Sequence, residues 1–332
     1  MHENPELSGV EYNTNLFVIK ELLKHNVKII NNKLSIVCFI NKNKKETIAF
    51  RSELDALPII ENKNHKIHSK NNNMHACGHD VHTSALLAAI PYIKENYYSH
   101  NIALVFQSKE ETGLGAKDLS ESMIFNDLNI TKIIALHVWP NLEYNKLFSA
   151  KNLMFGSYEL DVDIEGENNH ISSYKKETDA TYASYLIYNK LFKNSKNYIS
   201  HLGEIKSGTL RNISSNKATL KYSIRFKNNN KIIEKISKKK IKTKCKINYK
   251  FNEYFPPLIN DDEMLNLIKY NKIKTLKSAE DFGYYSNNCK TFYLLFGLGK
   301  GFSLHSENFY TTKEIRKSYY NKIIELIDLF KI

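Results

Sequence analysis

Residues 74–87 read MHACGHDVHTSALL, so one cysteine, three histidines and an aspartate crowd together directly ahead of an apolar run. Histidine and cysteine at that density serve redox chemistry, nucleophilic catalysis or metal ligation. Other segments carry matching side chains. Asp55 follows the strand-like stretch that holds Arg51, Glu110 and Glu111 follow NIALVFQ, His137 closes KIIALH, and His305 follows TFYLLFG after the loop GLGKGFSLHS. With Cys77 and His79 the inventory is one thiolate, three imidazoles and at least two carboxylates. That set suits a pair of borderline ions, zinc, manganese or cobalt, better than calcium or magnesium. A nucleophilic Cys77 with His79 or His82 as its base is the alternative, but it leaves Glu110, Glu111, His137 and His305 without a role. No CxxC redox pair is present. For His137 alone, an ordinary hydrogen-bonded core histidine remains open.

Such donors need strands that end at one edge. KLSIVCFI (33–40), ETIAFRSEL (46–54), NIALVFQ (101–107), KIIALHV (132–138) and TFYLLFG (291–297) read as short buried strands. Several are nearly continuous apolar runs, the pattern of parallel strands covered on both faces. Helical patterns lie at 14–25, at 83–95 with a kink expected at Pro91, and at 311–330, where Thr311 and Glu314 have capping-box spacing. In open α/β sheets, sites form beyond the carboxyl ends of the strands. The middle of the chain alternates with period two instead. Strands at 157–166, 198–205, 218–226 and 244–251, with helices at 179–192 and 231–240, give the order β-α-β-β-α-β, a ferredoxin-like arrangement. The expected fold is α/β: a catalytic domain with a mainly parallel sheet flanked by helices, made of residues 1–155 and 253–332, interrupted by an inserted domain at 156–252.

The chain has 332 residues, 42% of them hydrophobic, and a formal net charge of +13. Only Arg51, Arg211, Arg225 and Arg316 are arginines. The charge could serve nucleic acid, but arginine is the better residue for bidentate phosphate recognition, so its scarcity argues against a nucleic-acid surface. No apolar stretch reaches the length of a membrane span. The start, MHENPELSG, has no basic-then-apolar leader pattern, and the expectation is a cytoplasmic protein. Cys38, Cys77, Cys245 and Cys289 lie too far apart for a disulfide scaffold.

HENPELSGVEYNT (2–14), RSELDALPI (51–59), MHACGHDVHTSALL (74–87), FQSKEETGLGAKDL (106–119), ALHVWPNL (135–142), SAEDFGYY (278–285) and GFSLHSENF (301–309) together span nearly the whole chain. In them the chain resembles the dinuclear-metal amidohydrolases of the aminoacylase and carboxypeptidase type. The matching branch holds indoleacetyl-amino-acid hydrolases, hippurate hydrolases and N-acetyldiaminopimelate deacetylases. The resemblance implies that Cys77, His79, Glu111, His137 and His305 hold two divalent ions and that Glu110 is the general base. It implies that Asp55 orients a ligand, with Asp80, His82 and Glu280–Asp281 in support. The inserted domain then resembles a lid and homodimerisation domain. In it His170 would stabilise an oxyanion, Arg225 would bind a substrate carboxylate, and Asn212 would lie near the substrate. The implied reaction is hydrolysis of an N-acyl amino acid. Acetyl-diaminopimelate leads, and aromatic acyl conjugates or dipeptide-like substrates are the alternative. A catalytically weak descendant acting as a binding protein is the reading from another class. Ser108–Lys109 stands where the family commonly has Pro-Ala, and an inward Lys109 would lower the Glu110 pKa.

Overall fold

The structure is a computed structural model. It describes every residue except 192, 193, 228–233, 235, 237 and 239, and omits the side chains at 190 and 191. The chain divides into two compact units. One comprises Met1–Leu153, Leu258–Thr275 and Asp281–Ile332, and the other Met154–Pro257 with Leu276–Glu280.

The first unit contains α1 (Tyr12–Leu23), β1 (Lys28–Asn32), β2 (Ser35–Ile40), β3 (Thr47–Glu53), α2 (His79–Glu95), β4 (Asn101–Gln107), α3 (Gly115–Ser120), α4 (Ile124–Asp127), β5 (Ile130–Trp139) and β6 (Leu147–Ser149), and the short β7 (Asn152–Met154) ends one residue past its boundary. After the insertion come β12 (Leu258–Ile259), α6 (Asp262–Leu267), β13 (Asn271–Lys272), β14 (Lys290–Gly297) and α7 (Lys313–Asp328). Its large sheet runs β1-β2-β4-β3-β5-β14-β6-β13. The central pairs β4/β3, β3/β5 and β5/β14 are parallel. Their side chains are buried almost throughout, which is why these segments read as apolar runs rather than alternations. Phe50, Leu104, Leu136 and Leu294 share one core with Val18 of α1, Leu86 of α2 and Ile323 of α7. On the other face Phe125 stacks on Tyr285, and Phe282 meets Tyr293.

Three local expectations change. The apolar run 33–40 is half of a hairpin: β1 and β2 pair antiparallel, and β2 joins β4 antiparallel. Helix α2 begins at His79 rather than residue 83 and continues through Pro91. Thr312, not Thr311, caps α7, its hydroxyl accepting the Ile315 N–H at 3.3 Å. The Thr311 carbonyl is taken instead by Arg316.

The second unit contains β8 (Gly156–Glu165), α5 (Ala180–Leu191), β9 (Tyr198–Ser207), β10 (Lys217–Phe226) and β11 (Lys246–Phe255). Its antiparallel sheet runs β11-β8-β10-β9. One face buries Leu160, Val162, Ile164, Leu220 and Ile224 against Ala183 and Ile187 of α5. On the other, Asp161 and Glu165 of β8 lie opposite Lys221 and Lys217 of β10 and Lys250 and Lys246 of β11. Rows of opposite charge suit a wet face and hold the register. Most of the helix expected at 231–240 lies outside the described residues.

Candidate metal centre

The parallel register decides which strand ends meet. Glu53 pairs with Gln107, Arg51 with Ala135, and His137 with Leu295. The segments that follow β3, β4 and β14 therefore leave the same edge at which β5 carries His137. Cys77 and His79 reach it through the turn into α2. Gly78 between them has φ +85°, and a Cβ there would lie 2.6 Å from Val138 Cγ2. Only glycine permits this turn against β5.

Donor atoms gather in overlapping groups. Cys77, His79 and His137 bring ligand atoms within 4.8 Å of one another, and so do Cys77, Glu111 and His305. Cys77 belongs to both. The first group is buried. The second opens outward, because the His305 side chain is 52% exposed. A third group, Asp55, His79 and Glu110, sets the Glu110 carboxylate 3.7 Å from His79 Nε2. Cys77 Sγ lies 3.4 Å from His137 Nε2, and His305 Nε2 lies 3.6 Å from Glu111 Oε1.

Hydrogen bonds orient the rings. His79 Nδ1–H donates to the Asp55 carbonyl at 2.9 Å, with Asp55 Oδ1 at 3.3 Å. His137 Nδ1–H donates to the Val138 carbonyl at 2.7 Å. In the neutral ring, this leaves Nε2 as the lone-pair donor facing the cluster. His79 Nε2 is buried and has no hydrogen-bond partner, a costly arrangement that a bound cation would relieve. Burial alone would lower the His79 pKa, but the Asp55 hydrogen bond and the charges of Glu53, Asp55 and Glu111 push it up to about 10. A field that holds a proton so firmly also favours a divalent cation, which would displace it. His137 goes the other way, well below its ordinary value, through burial and the neighbouring His82. A thiolate, imidazoles and carboxylates in two groups sharing a sulfur fit a pair of borderline divalent ions.

His82 is not a donor of this kind. Its Nδ1–H donates to Glu53 Oε2 at 2.9 Å, and its Nε2 accepts the Val138 N–H at 3.1 Å. Behind it Arg51 pairs with Glu53 and with Asp281 at 3.0 Å. Gln107 joins Arg51 and Asp281 at 2.8–3.0 Å. This frame props the end of β5 and hence His137. Asp55 does the same for the glutamate turn, since Oδ2 accepts the Glu111 N–H at 2.8 Å. Asp55 is fully buried and contacts His79 and the Glu111 turn. Asp80 turns away to His2, 2.8 Å distant. Lys109 pairs outward with Asp118 at 3.6 Å, so the inward lysine does not occur. Its φ of +59° makes the turn into Glu110.

Sequence reasoning passed over four residues here. Ser8 donates to Asp55, buried Glu11 accepts the Lys109 N–H at 2.8 Å, and Glu53 and Gln107 belong to the Arg51 frame. The signal for Glu53 was a charged residue within a wholly buried strand.

The remaining proposed residues lie in the second unit. His170 and Asn212 are neighbours there: the Ile171 N–H donates to the Asn212 carbonyl at 2.9 Å. Both are exposed. Arg225 is not with them. It stands at the far end of β10, eight residues beyond Lys217, a span of roughly 26 Å.

Comparison with known proteins places the chain in a family. The profile of peptidase family M20/M25/M40 matches residues 49–325. The N-acetyldiaminopimelate deacetylase of Ligilactobacillus salivarius is 27% identical over 92% of this chain and 89% of its own. The hippurate hydrolase of Campylobacter jejuni is 28% identical over 97% and 93%. The crystal structure of Bacillus subtilis YXEP, a dinuclear metal binding M20 peptidase, superposes with a TM-score of 0.82 at 23% identity, covering 100% of this chain and 96% of that one.

Proposed function

We propose, on the premise that this chain belongs to peptidase family M20/M25/M40 and is a metal-dependent amide-bond hydrolase, that it cleaves N-acyl amino acids with Glu110 as general base. The observation that carries this is the pair of donor groups sharing Cys77, with the Glu110 carboxylate beside them. Cys77, His79, Glu111, His137 and His305 would hold two divalent ions, zinc, manganese or cobalt. When bound, such ions polarise an amide carbonyl and acidify water. Glu110 takes the water proton and delivers it to the departing nitrogen. Asp55 keeps His79 in the tautomer that points Nε2 inward.

The inserted unit acts in this reading as lid and dimerisation domain, with a ferredoxin-like fold. His170 donates to the oxyanion, Asn212 lies beside it, and Arg225 binds the substrate carboxylate. Arg225 stands roughly 26 Å along β10 from Lys217, the end from which the chain leads back to Asn212, and that span exceeds the length of an N-acyl amino acid. It supports a homodimer in which two copies serve one substrate. The likeness to a deacetylase favours N-acetyldiaminopimelate as substrate, and the likeness to a hippurate hydrolase favours an aromatic acyl group as the second reading.

Free-amine release from N-acetyldiaminopimelate, hippurate and a panel of N-acetyl amino acids tests this, with added manganese or zinc and with chelator. Glu110→Gln should lower kcat by about 10²–10⁴-fold while metal uptake persists. Turnover that survives both chelator and this substitution would refute the mechanism.

A further inference from the structure

Several histidines and carboxylates outside the metal centre gather at one place in the first unit. Glu61 is charged yet only 5% exposed. Its Oε1 faces His2 Nε2 at 3.1 Å and His65 Nδ1 at 2.8 Å, and its Oε2 accepts the Ser69 N–H at 2.7 Å. His2 also reaches Asp80 through Nδ1 at 2.8 Å, and Asp80 is the residue after His79 in α2. Burial alone would lower the His2 pKa, but Asp80 and Glu61 outweigh it and push it up to about 9. Both His2 nitrogens therefore donate, and the ring ties the start of α2 to Glu61.

The tie continues to the other side of the metal centre. The Asn62 N–H donates to the Glu307 carbonyl at 3.0 Å, and its Nδ2 to Asn308 Oδ1 at 2.7 Å. The His65 ring lies against Tyr310, centroids 4.9 Å apart. Residues 307–310 begin two positions after His305. His305 is the donor in most need of support. It has φ +56°, it follows Gly299 and Gly301 at +82° and +90°, and its side chain is half exposed. A non-glycine residue in that conformation is held by its surroundings.

We propose that Glu61, clasped by His2 and His65, is a positioning residue that fixes the His305 loop and so sets how tightly the outer donor group, Cys77, Glu111 and His305, holds its cation. The inference rests on the two-ion reading above. Groups behind the ligands commonly govern metal affinity without touching the metal.

Calorimetric titration of the metal-stripped full chain with manganese alone tests it. The wild type should show two binding events, and His305→Ala should abolish the outer one. Glu61→Ala should weaken that same event by about 10–100-fold and leave the inner event unchanged. Should Glu61→Ala fail to fold, as circular dichroism would reveal, His65→Ala carries the same expectation, because its ring joins Glu61 to Tyr310 on the loop side. An unchanged outer event, or equal weakening of both events, overturns the proposal. No binding to the wild type would overturn the two-ion reading, and the brace with it.

Discussion

Glu53 shows how one buried side chain organises others. Burial would raise its carboxyl pKa, but Arg51 and then His82 hold it well below the ordinary 4.5. A depressed carboxylate contributes stability that is fully present above its unfolded value. That stability is lost as pH falls from about 4.5 toward the folded value. Glu53→Gln leaves Arg51 buried without this partner, which should cost about 3–5 kcal/mol at neutral pH. The gap between wild type and Glu53→Gln should narrow progressively below pH 4.5. Denaturant unfolding of the metal-free proteins at pH 7 and in acid measures both. A gap that stays constant with pH would mean Glu53 is not held ionised.

At the scale of elements, the turn into α2 carries most of the geometry. His79 is the first residue of the helix and Cys77 lies just outside it, so Gly78 sets the angle between two donors. In Gly78→Ala the left-handed backbone is strained and the Cβ meets Val138. Strain of this kind costs about 1–3 kcal/mol. Because the neighbour is the strand residue after His137, the turn and β5 should move apart. Gly78→Ala should therefore lose stability by that amount and also bind metal more weakly, read by unfolding and by cobalt titration with its thiolate absorption. A loss of stability without loss of affinity would show the donors tolerate the shift.

For the whole molecule, all proposed ion donors belong to the first unit. An ion held by the folded form alone stabilises it by mass action, about 2.7 kcal/mol per site at a hundredfold excess over Kd. Chelation should therefore speed hydrogen exchange in α2 and β5 and leave β8 and β10 as they were. Exchange mass spectrometry resolves the two. Equal effects in both units would mean the sites are not confined as drawn. Among the described residues no helix is long and apolar enough to cross a membrane.

The amino-acid sequence by itself determined the apolar strands that lie buried on both faces, since continuous hydrophobic runs have few other homes. It also determined the inventory of a thiolate, imidazoles and carboxylates just past those runs, because only some side chains can ligate a metal. It was silent where identity alone does not choose a partner. Whether His82 faces a metal or props a strand depends on both its nitrogens, which Glu53 and Val138 occupy. Lys109 looked able to reach Glu110, and only a backbone at positive φ sent it to Asp118. The run at 33–40 hid a hairpin, because antiparallel pairing at a sheet edge leaves no mark in a short apolar stretch. The separation of Arg225 from His170 and Asn212 follows from strand length and register. Tertiary structure decides such matters because they depend on distances between segments far apart in the chain, which no local pattern encodes.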